Sequence, residues 1–220
     1  MLEIKKLRSG YGRIPILDEL SLSVATGEIV GILGHNGMGK TTLLKTLIGE
    51  IQVTSGEIFL NNNNITRTEM YLRSRAGMAY VPQGRDIFPN LTVLENLRMG
   101  EIAKPGDSAI FEVLEYFPML KELLTRPGGR LSGGQQQILA LARCFVARPT
   151  IILLDEPTEG IQPSIIEQII EKLKELQKSL NLSILLVEQD LHFIERLCER
   201  TFIMQKGRIT AQLSKSDLKN

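Results

Sequence analysis

The sequence predicts an α/β fold in which a parallel sheet carries helices, with half-exposed strands ahead of it and a helical insertion within it. Three observations predict this. Short runs rich in Ile, Leu and Val, each bounded by turn residues, recur at 28–33, 77–81, 151–154 and 183–187, as central parallel strands do. Segments with apolar residues at three-to-four spacing follow several of them. The stretch 90–148 offers apolar-periodic pieces but no clear strand.

In chain order, residues 2–8 and 20–24 alternate apolar and polar positions, the period of a strand with one buried face. The run at 28–33 leads through a glycine-rich loop into a predicted helix over 41–48. There Leu43, Leu44, Leu47 and Ile48 share one face, and Gly49 stops the turn. Ser55-Gly56-Glu57 opens a short strand, Ile58-Phe59-Leu60, which ends in the turn cluster Asn61-Asn62-Asn63-Asn64, a residue type that tolerates left-handed backbone. Within 90–148, periodic pieces at 91–99, 110–116, 119–124 and 138–146 predict helices. After Pro163, the positions of Ile165, Ile166, Ile169, Ile170, Leu173 and Leu176 predict an amphipathic helix, and 201–210 reads as a hairpin. No internal repeat or linker interrupts this order. The expectation is one domain over 1–220, with about 90–148 as a helical subdomain and no C-terminal regulatory domain.

Bulk properties narrow the function. The formal charge of +1, from 26 basic and 25 acidic residues, gives no sequence-independent pull on nucleic acid, and no such partner is expected. Cys144 and Cys198 form no CxxC pair; they suit a reducing compartment and read as small core residues. Glu3, Lys5 and Lys6 leave no signal-like apolar stretch, and no apolar run approaches the ~20 residues of a membrane helix. A membrane role is expected only through a partner.

Three motifs carry chemistry. Gly34-His35-Asn36-Gly37-Met38-Gly39-Lys40-Thr41 fits G-x4-G-K-[ST] between a predicted strand and a predicted helix, the context a phosphate-binding loop requires. Glycines let backbone N–H groups turn inward around phosphate oxygens, and the helix N-terminus adds its positive dipole end. Lys40 is placed to reach the β- and γ-phosphates, Thr41 to offer its hydroxyl to Mg²⁺, and Thr42 follows within the same cradle. The second motif, Ile151-Ile152-Leu153-Leu154-Asp155-Glu156, delivers two carboxylates at the C-terminal end of a buried strand, the edge where open α/β sheets bind ligands. Adjacent acids on a strand point opposite ways, so they take separate tasks: Asp155 the metal, Glu156 the water attacking the γ-phosphate. The third is Leu131-Ser132-Gly133-Gly134-Gln135 ahead of a helix beginning near Gln136. Ser132 and Gln135 fit an S-x-x-Q capping box, and the same glycine-rich helix start is an anion site; both readings hold together.

LSGGQ between the phosphate loop and the paired acids resembles the signature of ABC ATPases, and the resemblance covers essentially the whole chain. It implies a P-loop NTPase core of ABC ATPase type with an antiparallel β subdomain and a helical insertion, using ATP and Mg²⁺. It further implies that Tyr11 stacks on adenine and that Gln83, in Val-Pro-Gln, approaches Mg²⁺ and the water. Ser132, Gly133, Gly134 and Gln135 would close over ATP held by a second such subunit. Two positions depart from the family: Gln189 stands where a switch His is usual, and Gln162 where an Asp is usual. Glutamine can hydrogen-bond a γ-phosphate but cannot carry a protonated histidine's charge.

A Gln at the switch resembles the ATP-binding subunits of branched-chain amino acid importers and their relatives. Pro82-Gln83-Gly84-Arg85 and the run 159–166 resemble the urea (short-chain amide) importers within that group. Such importers imply a partner ATPase subunit, usually a different chain, two integral membrane permeases and an extracytoplasmic solute-binding protein. The place implied is the cytoplasmic face of a bacterial inner membrane. Two other readings stay open: a soluble ABC ATPase of a cytosolic assembly system, and a nucleotide-binding subunit with little activity of its own.

Overall fold

A computed structural model describes residues 1–104, 106 and 108–219; Pro105 and Asp107, inside the expected helical stretch, and Asn220, on which the expectation of no further domain rests, lie outside the described residues. In chain order the strands are β1 (Leu2–Tyr11), β2 (Ile14–Val24), β3 (Ile29–Leu33), β4 (Val53–Leu60), β5 (Asn63–Asn64), β6 (Met78–Val81), β7 (Ile151–Asp155), β8 (Ser183–Glu188), β9 (Arg200–Gln205) and β10 (Arg208–Ser214). The α-helices are α1 (Lys40–Ile48), α2 (Met70–Arg75), α3 (Val93–Met99), α4 (Ile110–Tyr116), α5 (Gly133–Val146), α6 (Pro163–Leu180) and α7 (Leu191–Leu197).

An antiparallel sheet runs in the order β2-β1-β4-β5, and a second sheet in the order β10-β9-β3-β8-β7-β6. The second sheet is parallel except for the β9–β10 hairpin. The strand pleat divides its apolar side chains between two cores. Ile29, Ile152, Leu154, Ile184 and Leu186 face one core with the helical insertion, α6 and α7. Val30, Ile32, Ile151, Leu153, Leu185 and Val187 face the other, where Leu43, Leu44 and Leu47 of α1 also meet Leu2, Ile4 and Leu7 of β1. The helix carrying the phosphate motif is therefore packed between the two sheets.

The far end of α1 is fastened by a charge. Arg73, buried at 3% exposure, donates from Nη1 to Thr46 O and Leu47 O in the last turn of α1 and from Nε and Nη2 to Thr68 O and Thr66 O. A guanidinium there satisfies helix-terminal carbonyls and sits at the negative end of the helix dipole.

Several expectations shift in detail. β4 begins at Val53 rather than Ile58, crossing Gly56 at φ 90, where an added Cβ would stand 2.4 Å from Lys6 O. Asn61 and Asn62 take φ 51 and 65, but Asn63 and Asn64 pair with β4 instead of turning. The six-residue α2 and seven-residue α7 are elements that the sequence reading did not predict. Within 90–148 the described residues form α3, α4, α5 and short 3-10 turns, with only an isolated bridge between Thr92 and Pro127. Cys198 is buried beside Gly31, and Cys144 is half-buried with its thiol pushed up to about 11 by burial.

Candidate active site

β3 delivers its loop to the C-terminal edge of the parallel sheet. Gly34 donates its N–H to Glu188 O at 3.3 Å, and Gly207, in the β9–β10 turn, donates to Met38 O at 2.9 Å. His35, Asn36 and Gly37 are exposed between these anchors. Gly39 takes φ 100 at the N-cap of α1, where an added Cβ would stand 3.1 Å from Met204 Cε and 3.2 Å from Ile16 Cγ2. No side chain caps this helix start, so the first-turn N–H groups face the loop without a competing acceptor from the cap. Lys40 is 4% exposed, and its Nζ donates to Gly34 O at 2.7 Å and His35 O at 3.1 Å. The same Nζ lies 2.9 Å from Glu156 Oε1. Thr42, next in α1, is buried.

Asp155 ends β7 at 1% exposure. Thr41 Oγ1 donates to its Oδ1 at 3.1 Å and Tyr80 OH to its Oδ2 at 3.0 Å. Burial raises the Asp155 pKa above the ordinary carboxylate value, against the opposing pull of these two hydrogen bonds. Glu156 corrects the strand-pleat expectation. It lies beyond the last strand residue with φ 43, so a left-handed backbone turn, not the pleat, separates the two acids. Its N–H donates to Val187 O of β8 at 3.0 Å, while its Oε2 accepts from Gln189 Nε2 at 2.9 Å and Gln83 Nε2 at 3.4 Å.

The structure brings Lys40, Thr41, Asp155, Glu156, Gln189 and Gln83 into one neighbourhood, but divides them. Thr41 and Asp155 form one pair, a hydroxyl and a carboxylate. This is the hard-oxygen donor set that Mg²⁺ accepts beside phosphates and waters, and no cluster of three or more His, Cys, Asp or Glu among the described residues could hold a metal alone. Gln83 stands apart from that pair: its amide goes to Glu159 Oε2 at 2.9 Å and to Glu156. Tyr11, 51% exposed, pairs with Ile14 at the tip of the β1–β2 hairpin, and Ile16 of the same hairpin lies against Gly39.

Ser132 is the N-cap of α5 in a complete capping box: Gln135 N donates to Ser132 Oγ at 3.3 Å, and Ser132 N to Gln135 Oε1 at 2.9 Å. An added Cβ on Gly134 would stand 2.9 Å from Ile165 Cγ1, and one on Gly133 2.9 Å from Arg85 Nη2. The signature glycines thus meet close neighbours within their own chain. Gln162 is the N-cap of α6 and makes no side-chain cap there.

Sequence reasoning missed three residues. Tyr80 fixes Asp155. Glu188, 2% exposed, accepts from Thr158 N and Oγ1 at 3.0 and 2.6 Å and from Gln189 N at 2.8 Å, joining the end of β8 to the loop after the acids. Its signal was present, since a carboxylate closing an apolar strand repeats the pattern of Asp155. Arg85 is the third. Away from this site, a groove of about 500 Å³ opens along β6, lined in part by Tyr71, Phe88, Met99, Ile102 and Arg143. Tyr71, Phe88 and Ile102 on its walls are 54%, 41% and 62% exposed, and no helix of the described residues is long and apolar enough to cross a membrane.

The ABC transporter family matches residues 17–159. The chain is 40% identical over 95% of its length to the high-affinity branched-chain amino acid transport ATP-binding protein BraG of Pseudomonas aeruginosa, covering 91% of that protein. It is 36% identical over 95% of its length to the probable branched-chain amino acid transport ATP-binding protein LivF of Archaeoglobus fulgidus, covering 90% of it. Among solved structures it is similar to the dimeric post-hydrolysis state of the ATP-binding cassette MJ0796 bound to ADP and Pi, with a TM-score of 0.87, 26% identity, and coverage of 98% of this chain and 99% of that one.

Proposed function

This chain belongs to the ABC transporter ATP-binding family, and from that premise we propose that it is the ATP-hydrolysing subunit of an importer, one of two such subunits beneath a pair of permeases. The observation that carries the reading is the meeting of Lys40, Thr41, Asp155 and Glu156, delivered by two separate segments to one edge of the parallel sheet. Lys40 has three N–H donors, engaged by Gly34 O, His35 O and Glu156 Oε1. The β- and γ-phosphates of ATP compete for these donors, so binding them draws Lys40 off Glu156 and frees Oε1 to accept a proton. Glu156 is then the general base, with Gln189 and Gln83 holding Oε2 in place. In this arrangement Gln189 orients the base, a task that needs a donor and not a positive charge. Thr41 and Asp155 would hold Mg²⁺, which would supply charge neutralisation along the phosphates.

The start of α5 would face the nucleotide of a second subunit, since Ser132 spends only acceptor capacity on its own cap and keeps its O–H proton to donate. The groove along β6 fits a permease segment, which would hold the chain at the cytoplasmic face of the membrane. The names of BraG and LivF support branched-chain amino acids as the transported solute. A second reading, urea or a short-chain amide, rests on residues 82–85 and 159–166.

Glu156→Gln tests the site: turnover should fall by about 10²–10⁴-fold with ATP still bound, and unchanged turnover would remove Glu156 as the base. Co-purification should recover multi-span permeases, while soluble partners alone would favour a cytosolic assembly system. In a deletion strain, loss of leucine uptake with urea uptake intact supports the first solute, and the reverse pattern the second.

A further inference from the structure

We propose that Arg85 is a positioning residue that yokes the start of α5 to the loop carrying Glu156, so that the two half-sites of one chain move together. Gly84, Arg85 and Asp86 take φ 83, 77 and 46, three successive left-handed residues of which only one is glycine. Arg143 of α5 donates to Asp86 O at 2.8 Å and holds this turn from one side. The turn aims the Arg85 guanidinium at two acceptors. Nη2 donates to Gly160 O at 3.2 Å, and Nη1 to Gln136 Oε1 at 3.4 Å.

These acceptors belong to different half-sites. Gly160 lies in the loop that follows Glu156, and Gln136 lies in the first turn of α5 after Ser132. The guanidinium lies against Gly133, where an added Cβ would come within 2.9–3.1 Å of its nitrogens and central carbon, so the glycine is what admits it. A cation beside a helix N-terminus runs against the helix dipole. The fork is held there by its two acceptors and not by the field of α5. Gln83, two residues earlier, reaches Glu156 and Glu159. Residues 83–85 therefore bridge the base and the signature directly. Arginine suits this because its planar fork serves two acceptors in fixed directions, whereas a lysine ammonium is a point charge on a flexible stem.

The inference rests on the dimeric reading above, and the test separates the two. The full-length chain is assayed for ATP hydrolysis as Arg85→Ala and Arg85→Lys, and for ATP-driven dimerisation by size-exclusion chromatography in a Glu156→Gln background. Arg85→Ala should lower kcat by about tenfold, the scale of one lost hydrogen bond to a charged group, with KM and the ATP Kd of its own phosphate loop unchanged. At saturating ATP it should also raise the protein concentration needed for dimerisation. Arg85→Lys should recover part of kcat, and Gln136→Ala added to Arg85→Ala should cost nothing further. Unchanged kcat, a KM that rises in step with the loss, or full recovery by lysine would each overturn the proposal. If Arg85→Ala fails to fold, Arg85→Lys decides alone: kcat below wild type at unchanged KM supports the yoke, and wild-type kcat overturns it. Failure of Glu156→Gln with native Arg85 to dimerise in ATP, both alone and with any ATPase subunit that co-purifies with it, would instead sink the dimeric reading itself.

Discussion

The starts of α1 and α5 are both glycine-rich and both carry one of the sequence motifs, yet the fold treats them in opposite ways. The start of α1 has no side-chain cap and is enclosed by Lys40, Asp155 and Glu156, each buried. The start of α5 is closed by its own Ser132–Gln135 box and leaves Ser132 exposed. The box on α5 satisfies the N–H groups of Ser132 and Gln135 within the chain, whereas the start of α1 gives up none of its donors to a side-chain cap. The difference teaches that one half-site carries its chemistry inside the subunit, with charges already paired. The other is a stable surface presented outward.

The largest blow to this contrast should come from Lys40→Met. It leaves Glu156, 7% exposed, without its cation, and breaking such a buried pair costs about 3–5 kcal/mol. Chemical denaturation should show the loss, calorimetry should show weakened ATP binding, and adding Glu156→Gln should restore much of the stability. Full additivity of the two changes would mean the pair is not coupled. Asp155→Asn comes next and should move activity and stability in opposite directions. Because burial raises the Asp155 pKa in the folded state, its stabilising contribution is present below the ordinary carboxylate value and is lost as pH rises through the folded pKa. At neutral pH the ionised group is a burden, so Asp155→Asn should raise Tm while hydrolysis collapses. The gain should shrink as the pH approaches the ordinary carboxylate range; a Tm that falls at pH 7 would contradict it.

On the other side of the comparison, Ser132→Ala should cost about 1 kcal/mol of stability through the lost cap. If the segment were only a cap, turnover measured on the folded fraction would stay level; it is expected to drop. The smallest effect is a gain. Gln162 is an N-cap without a cap bond, and Gln162→Asp should add about 0.5–1 kcal/mol by giving α6 one. No change in unfolding midpoint would show that the α6 start already has its donors satisfied.

The same contrast explains what the sequence disclosed. Lys40, Thr41, Asp155 and Glu156 were legible because each motif is contiguous and its neighbours, a buried strand or a helix start, are local. The capping box was legible for the same reason. Tyr80 was not, because its hydroxyl meets Asp155 across 75 positions of chain through the pairing of β6 with β7. Arg85 reaches Gln136 and Gly160 across 51 and 75 positions, a junction that no periodicity records. The left-handed turn at Glu156 was hidden because a backbone angle leaves no mark on residue type unless glycine is required. The β/α alternation, by contrast, followed from apolar runs whose two faces are both buried.

The clamp on α1 has a mechanical consequence. The helix is nine residues, a rod of about 13 Å, gripped at one end by the loop around Lys40 and at the other by Arg73. Arg73 belongs to α2, and α2 supplies Tyr71 to the wall of the outer groove. Arg73 thus ties one wall of the groove, through a single helix, to the lysine at that helix's other end.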